Sequence, residues 1–269
     1  MSIIKPPFEM TGSIRGVSFY KQYGSDKVIM RTKGGARKEK IRSSPKFEKL
    51  RLHQTEWAGC VKMSGTLCSA MHHVKQLADF NVSATMNGFS KKLQGLDTTN
   101  PIGSRSIELS RYKYLLDEFQ LNRTRSFGSI LRISPEWEIT RETMEARVEI
   151  PYMNTELQLV NPMNYPFFRI ITSLGIVSDM FADPETKKYM TNNPEINGAV
   201  CPQRTDWYST NRVIEAQELI VKFTTPKYTP TGDDFSLVLC IGVEFGKPGF
   251  DGQPLPVSRA GCAKVLGVR

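Results

Sequence analysis

Histidine is scarce in this 269-residue chain, which has only His53, His72 and His73. His72 and His73 are neighbours on a predicted helix and so point about 100° apart, which suits neither joint metal ligation nor a nucleophile–base pair. The five cysteines, Cys60, Cys68, Cys201, Cys240 and Cys262, are odd in number and lack CxxC spacing. That pattern excludes a zinc-ribbon arrangement and argues against a disulfide framework, so all five are read as small buried hydrophobic residues. No GxSxG, GxxxxGK[ST], HExxH or GxGxxG segment is present. The sequence therefore assigns no catalytic residue, no metal site, no cofactor and no small-molecule substrate.

Long apolar runs are missing as well. Residues 1–8 carry a lysine and no signal-peptide core, and no later stretch approaches a membrane span. The expectation is a cytoplasmic protein with no membrane partner. Carboxylates occur in pairs, but Glu136 and Glu138 fall on one face of a predicted strand, the pattern of a solvated edge rather than an acid–base couple. The Thr205–Tyr208 segment is read as a turn with aromatic anchors.

Positive charge is abundant, and it is concentrated. Between residues 21 and 51 stand eleven lysines and arginines against three carboxylates, a net +8 out of the chain's +9. So many cations cannot be buried unpaired, and the stretch must face water, an acidic partner or a polyanion. It takes in the turn, Tyr23–Asp26, and second strand of a predicted β-hairpin, Ile14–Tyr20 and Val28–Arg31, and runs on as a glycine-punctuated linker to Ser44-Pro45. There a serine oxygen and a proline at the first helical position predict a helix start. The first ten residues, with Pro6-Pro7, read as an extended apolar arm.

Beyond Pro45 the residues Phe47, Leu50, Gln54, Trp57, Val61, Ser64, Cys68 and Met71 recur at spacings of three and four. They predict one apolar seam carried through two helices, or through one interrupted near Gly65, with Trp57 as a large buried aromatic. Further helical patterns follow Asn81 and Ser110. From Phe127 the period becomes two, with Ile130 to Ile139, Met144 to Ile150, Leu157 to Leu159 and Phe168 to Val177 predicted as strands between prolines. Val213 to Phe223, Phe235 to Phe245 and Val257 to Val268 are longer ones, and Leu237–Val243, apolar on both faces, is expected to be central. The loop 179–206 is expected to cover one end of the sandwich or touch a partner. The fold class predicted is α+β: an antiparallel β-sandwich (120–269) preceded by a basic β-hairpin arm (1–43) and a small helical unit (44–119).

Three segments carry a resemblance: Gly12–Lys21 with its Phe19-Tyr20-Lys21, Gly24–Gly35 with Arg31-Thr32-Lys33-Gly34-Gly35, and Ser44–Phe47. Over the stretch of about forty residues that holds them the chain resembles a family of Bacteroidota proteins of uncharacterised function. The resemblance implies no activity, cofactor or site residue.

An uncovered apolar arm, a hairpin too small to stand alone and the lack of a catalytic constellation together predict a self-associating structural protein, a homo-oligomer formed by strand addition to a neighbouring copy. The candidate assembly contacts are Ile3, Ile4, Phe8, Ile14, Val17, Phe19 and Tyr20. The alternative is a nucleic-acid-binding protein using residues 31–51, with Arg31, Lys33, Arg37, Lys38, Lys40 and Arg42 as polyanion or acidic-partner contacts; a third class, a carbohydrate- or other ligand-binding sandwich, rests on fold analogy alone.

Overall fold

The structure is a computed structural model that describes residues 11–22, 27–32, 34–224, 232–250 and 252–269, and the backbone of 2–4. Phe8, Lys33 and the turn Tyr23–Asp26 lie outside the described residues. The chain divides into two compact units, 1–51 and 52–269.

The first unit is a four-stranded antiparallel sheet of β1 (Ser2–Ile4), β2 (Gly12–Ile14), β3 (Val17–Lys21) and β4 (Val28–Thr32), in the order β1-β4-β3-β2. Arg15 and Gly16, with φ of 40° and 87°, form the two-residue loop that joins β2 to β3. Two successive positive φ values match the twist of paired strands, so the run Ile14–Tyr20, expected as one strand, splits in two. The arm expected to be merely extended supplies β1, which pairs Ser2, Ile3 and Ile4 with Met30, Ile29 and Val28. Unsatisfied backbone groups on the outer side of β4 explain this pairing. The expected linker contains a helix, α1 (Lys38–Ser43).

Pro45 opens a single 3-10 turn, Pro45–Phe47, ahead of α2 (Glu48–Ala70), a helix within which the division between the units falls. Ser44 does not cap with its side chain. Its carbonyl instead accepts from the Phe47 amide at 3.1 Å and from Arg51 Nη1 at 2.9 Å.

In the second unit α2 continues without a break at Gly65, followed by α3 (His72–Lys75) and α4 (Val82–Gly95), whose Asn81 cap accepts from the Ala84 amide at 3.4 Å. Behind them come α5 (Phe127–Ile130), β5 (Glu136–Thr140), β6 (Glu145–Ile150), β7 (Met153–Asn154) and α6 (Thr155–Gln158). The remaining strands are β8 (Phe167–Ser178), β9 (Phe181–Ala182), β10 (Tyr189–Met190), β11 (Val200–Arg204), β12 (Tyr208–Ser209), β13 (Val213–Ile214), β14 (Gln217–Lys222), β15 (Phe235–Pro248) and β16 (Pro254–Val268). Ile130 and Leu157, expected in strands, lie in α5 and α6. Local capping outweighs a period-two pattern at α6, where Asn154 Oδ1 accepts from the Glu156 amide at 3.0 Å.

The central sheet runs β11-β8-β15-β16, with β12 also on β8, and a smaller sheet runs β14-β6-β5. This is an α+β fold with a sheet-rich core. Because strand residues alternate, β8 and β15 build two cores at once. Phe168, Ile170, Leu174 and Ile176, with Leu237, Leu239 and Ile241, pack with Ala146, Val148, Leu219 and Val221 of the smaller sheet. Ile171, Val177, Val238 and Cys240 pack instead with Cys60, Met63, Leu67 and Val74 of the helices. The helices and the sandwich thus share a sheet, which explains why β15 is buried continuously from Phe235 to Gly246.

The helix seam is shifted from the one expected. Glu56, Cys60, Met63, Leu67 and Ala70 form the buried stripe of α2, whereas Trp57 is 47 % exposed and Val61 44 %. Small side chains explain the shift, because they let the backbone come close. A Cβ at Gly175 would fall 2.5 Å from Ala70 Cβ, and one at Gly59 would fall 2.5 Å from the Tyr189 ring. Tyr189 comes from the long loop 179–206, which supplies β9, β10 and β11 and plugs the helical side.

Candidate functional site

The candidate assembly and charge contacts fall in the first unit. Ile14 is 58 % exposed and Tyr20 38 %, Val17 and Phe19 are half-buried, and among the described residues of this unit Val28 is the one that is buried. Ile3 and Ile4 take their places in β1. Arg31 is exposed, its guanidinium 5.7 Å from the Tyr20 ring centre. Arg37, Lys38, Lys40 and Arg42 are exposed on or beside α1, and no carboxylate among the described residues pairs with them. The sheet and α1 therefore hold the predicted residues together in one unit, apart from Phe8 and Lys33, which are not described.

The buried carboxylates Glu56 and Glu244 of the second unit are held by partners within that unit. Glu56 is fully buried and accepts from Arg105 Nε at 2.7 Å, Arg105 Nη2 at 2.6 Å, Lys91 Nζ at 2.9 Å and the Gly103 amide at 2.9 Å. Burial pushes its carboxyl up from the ordinary 4.5. The hydrogen bonds from Arg105, Gly103 and Lys91 outweigh that and bring it down to about 2. Glu244 likewise holds Arg169 at 2.7 Å and Gln76 at 3.1 Å, and Arg169 lies over the Trp207 ring at 4.3 Å. These are charge clusters closed by partners of the same unit. Four cysteines are buried and Cys201 is half-buried, all as free thiols. Burial pushes Cys60 up to about 11 and Cys240 and Cys262 up to about 12, so they stay protonated at neutral pH. His73 lies 3.2 Å from Arg204 across its Nδ1, and burial, with Arg204, lowers its pKa. Among the described residues no group of His, Cys, Asp and Glu is arranged to hold a metal ion, and no helix is long and apolar enough to cross a membrane. Glu136 and Glu138 are exposed on β5, opposite Glu149 and Arg147 of β6.

The second unit also contains a concavity that sequence reasoning did not anticipate. A cavity of about 320 Å³ opens where β15 and β16 lose register, between Gly246–Pro256 and Glu244–Gly261 pairings. The bulged residues 257–260 include Arg259, held at φ 58°, a left-handed conformation unusual for a long side chain. Phe245 and Tyr165, with ring centres 5.8 Å apart, and Ile130 provide an apolar lining.

Two loops complete the walls, and each is fixed by side chains. Asp79 accepts from the Arg123 amide at 2.9 Å and the Thr124 amide at 2.8 Å; burial raises its carboxyl, but these two amides outweigh it and lower the pKa. Asn122 donates to the Leu77 carbonyl at 2.8 Å and accepts from the Ala263 amide at 2.9 Å, which ties the same loop to α3 and β16. On the other side, Asn161 donates to the Tyr165 carbonyl at 2.7 Å and accepts from the Tyr165 amide at 3.0 Å. Arg125 and Arg259 line the cavity, are exposed, and make no hydrogen bond or ion pair among the described residues. These residues come from segments far apart in sequence, and only the arginine pair Arg123 and Arg125 is visible as a local signal.

No protein-family model matches this chain, and neither does any curated protein or solved structure.

Proposed function

We propose that this chain is the subunit of a homo-oligomeric assembly, joined through its first unit. The carrying observation is that Val28 is the one buried residue among the described residues of 1–51. Ordering a residue's backbone costs about 1–2 kcal/mol, while burying one valine-sized side chain returns about 1.5–3 kcal/mol. Among its described residues the sheet buries one side chain, and the half-buried Val17, Phe19 and Met30, which the β3–β4 register puts on one face, need a further surface over them. A second copy supplies it, either by strand addition at β2, which has no partner on its outer side among the described residues, or by exchange of β1. Ile14, Val17, Phe19 and Tyr20 are then the contacts, with Ile3 and Ile4 carried on β1. Arg37, Lys38, Lys40 and Arg42 dock on an acidic surface.

Those four unpaired cations also favour a second reading, in which the first unit binds nucleic acid. Native mass separates the two. The full chain is expected to be oligomeric and a chain starting at residue 32 monomeric and folded; a monomeric full chain overturns the assembly reading. Replacing Arg37, Lys38 and Lys40 by glutamate is expected to weaken association as added salt does. Loss of polyanion binding with unchanged mass would support the second reading instead.

A further inference from the structure

We propose that the cavity at the bulge of β16 is a binding site for a small organic monoanion, a carboxylate bearing a flat or branched apolar group. The size is right for one such molecule, since about 320 Å³ lies at the lower end of the range for small-ligand sites. The lining divides as that ligand requires. Ile130, Tyr165 and Phe245 offer an apolar surface, and Arg125 and Arg259 offer two planar guanidinium forks at the mouth.

Three independent features distinguish the place from an ordinary surface hollow. The walls are built in advance, by Asp79 and Asn122 on one loop and Asn161 on another, so little ordering cost is left for binding. The strand leaves its ladder there, with Arg259 held in a left-handed conformation that nothing in the sheet's pairing requires. Such bulges re-aim side chains, and local strain of this kind collects at binding sites. Finally, both arginines lack protein partners among the described residues, while the one carboxylate in the lining, Asp79, is occupied by backbone amides. Two free cations against one engaged carboxylate leave a net charge of +1, which a monoanion neutralises. The site lies wholly within the second unit, so it stands or falls separately from the assembly reading.

The test titrates the full chain with 3-phenylpropionate and with its neutral amide, followed by calorimetry or by ligand-observed NMR. The acid is expected to bind with a Kd no weaker than about 1 mM and the amide at least about tenfold more weakly. Arg125→Gln is expected to weaken the acid about tenfold, and so is Arg259→Asn, chosen because asparagine tolerates positive φ. Neither change is expected to alter the amide's affinity. Thermal unfolding of each variant verifies that it is folded. Equal affinity for acid and amide, no response to either substitution, or no acid binding up to about 10 mM would each overturn the proposal.

Discussion

The two units of this chain are built on opposite economies. The second, 52–269, buries both faces of one sheet, so a single strand such as β15 serves two cores. The first, 1–51, pairs each described strand with a neighbour yet buries one described side chain. Hydrogen bonding alone therefore does not tell the two units apart; the burial on the faces of their sheets does. A net hydrogen bond contributes only about 0.5–1.5 kcal/mol, whereas a buried face contributes several side chains at once.

If that contrast is right, substitutions in the second unit unfold the protein and those on exposed faces do not. The largest effect is expected at Glu56. Glu56→Ala leaves Arg105 and Lys91 without their shared carboxylate and should cost about 3–5 kcal/mol in urea unfolding. Acid provides the same test without mutation. Because the folded carboxyl titrates at about 2 and an unperturbed one near 4.5, its contribution is complete above pH 4.5 and declines as pH falls toward 2, by about 3 kcal/mol in all. Asp179, raised by burial, works with the opposite sign. Glu56→Gln should flatten this part of the pH–stability curve, and an unchanged curve would remove Glu56 from the account.

An intermediate effect is expected at Gly175, where a new Cβ would meet Ala70 across the helix–sheet interface. Gly175→Ala should cost about 1–3 kcal/mol by forcing α2 off β8. The smallest effects belong to two aromatics outside the cores, the exposed Trp57 and the half-buried Phe19. Trp57→Ala and Phe19→Ala should each change the monomer's stability by under about 1 kcal/mol, with Phe19→Ala also lowering the native mass. A loss at Trp57 comparable to that at Gly175 would mean that α2 packs through its outer face.

The strands were legible because each signal is local. Leu237–Val243 is apolar without interruption, and it does occupy the middle of the sheet. The helix face of α2 was not legible, because the residues that decide it are small: Gly59, Cys60 and Ala70 say little by hydrophobicity and much by permitting close approach. Glu56 carries no sequence signal of its burial, since its partners Gly103 and Arg105 lie nearly fifty positions away. In the first unit the turn Arg15-Gly16 interrupts what reads as one strand, and the pairing of Ser2–Ile4 with β4 has no pattern of its own in three residues. The cavity was beyond sequence reading for a further reason. A bulge is a property of two strands together, and neither β15 nor β16 announces it alone.

The continuous burial of β15 has a consequence for how the chain finds its fold. In an ordinary amphipathic strand a slip by one residue turns every apolar side chain to water, and that penalty fixes the alignment. Here both faces are dry, so a slipped β15 would still be covered by apolar groups. Alignment must be enforced by shape and charge. Gly242 has to face Leu77, because a Cβ there would fall 2.7 Å from the leucine, and Glu244 has to reach Arg169 and Gln76. A shift of one residue would place Ile241 or Val243 where only glycine fits and turn the carboxylate of Glu244 into the opposite, purely apolar core. Two residues, one without a side chain and one with a charge, thus act as the locating pins of a strand whose hydrophobic pattern carries no address.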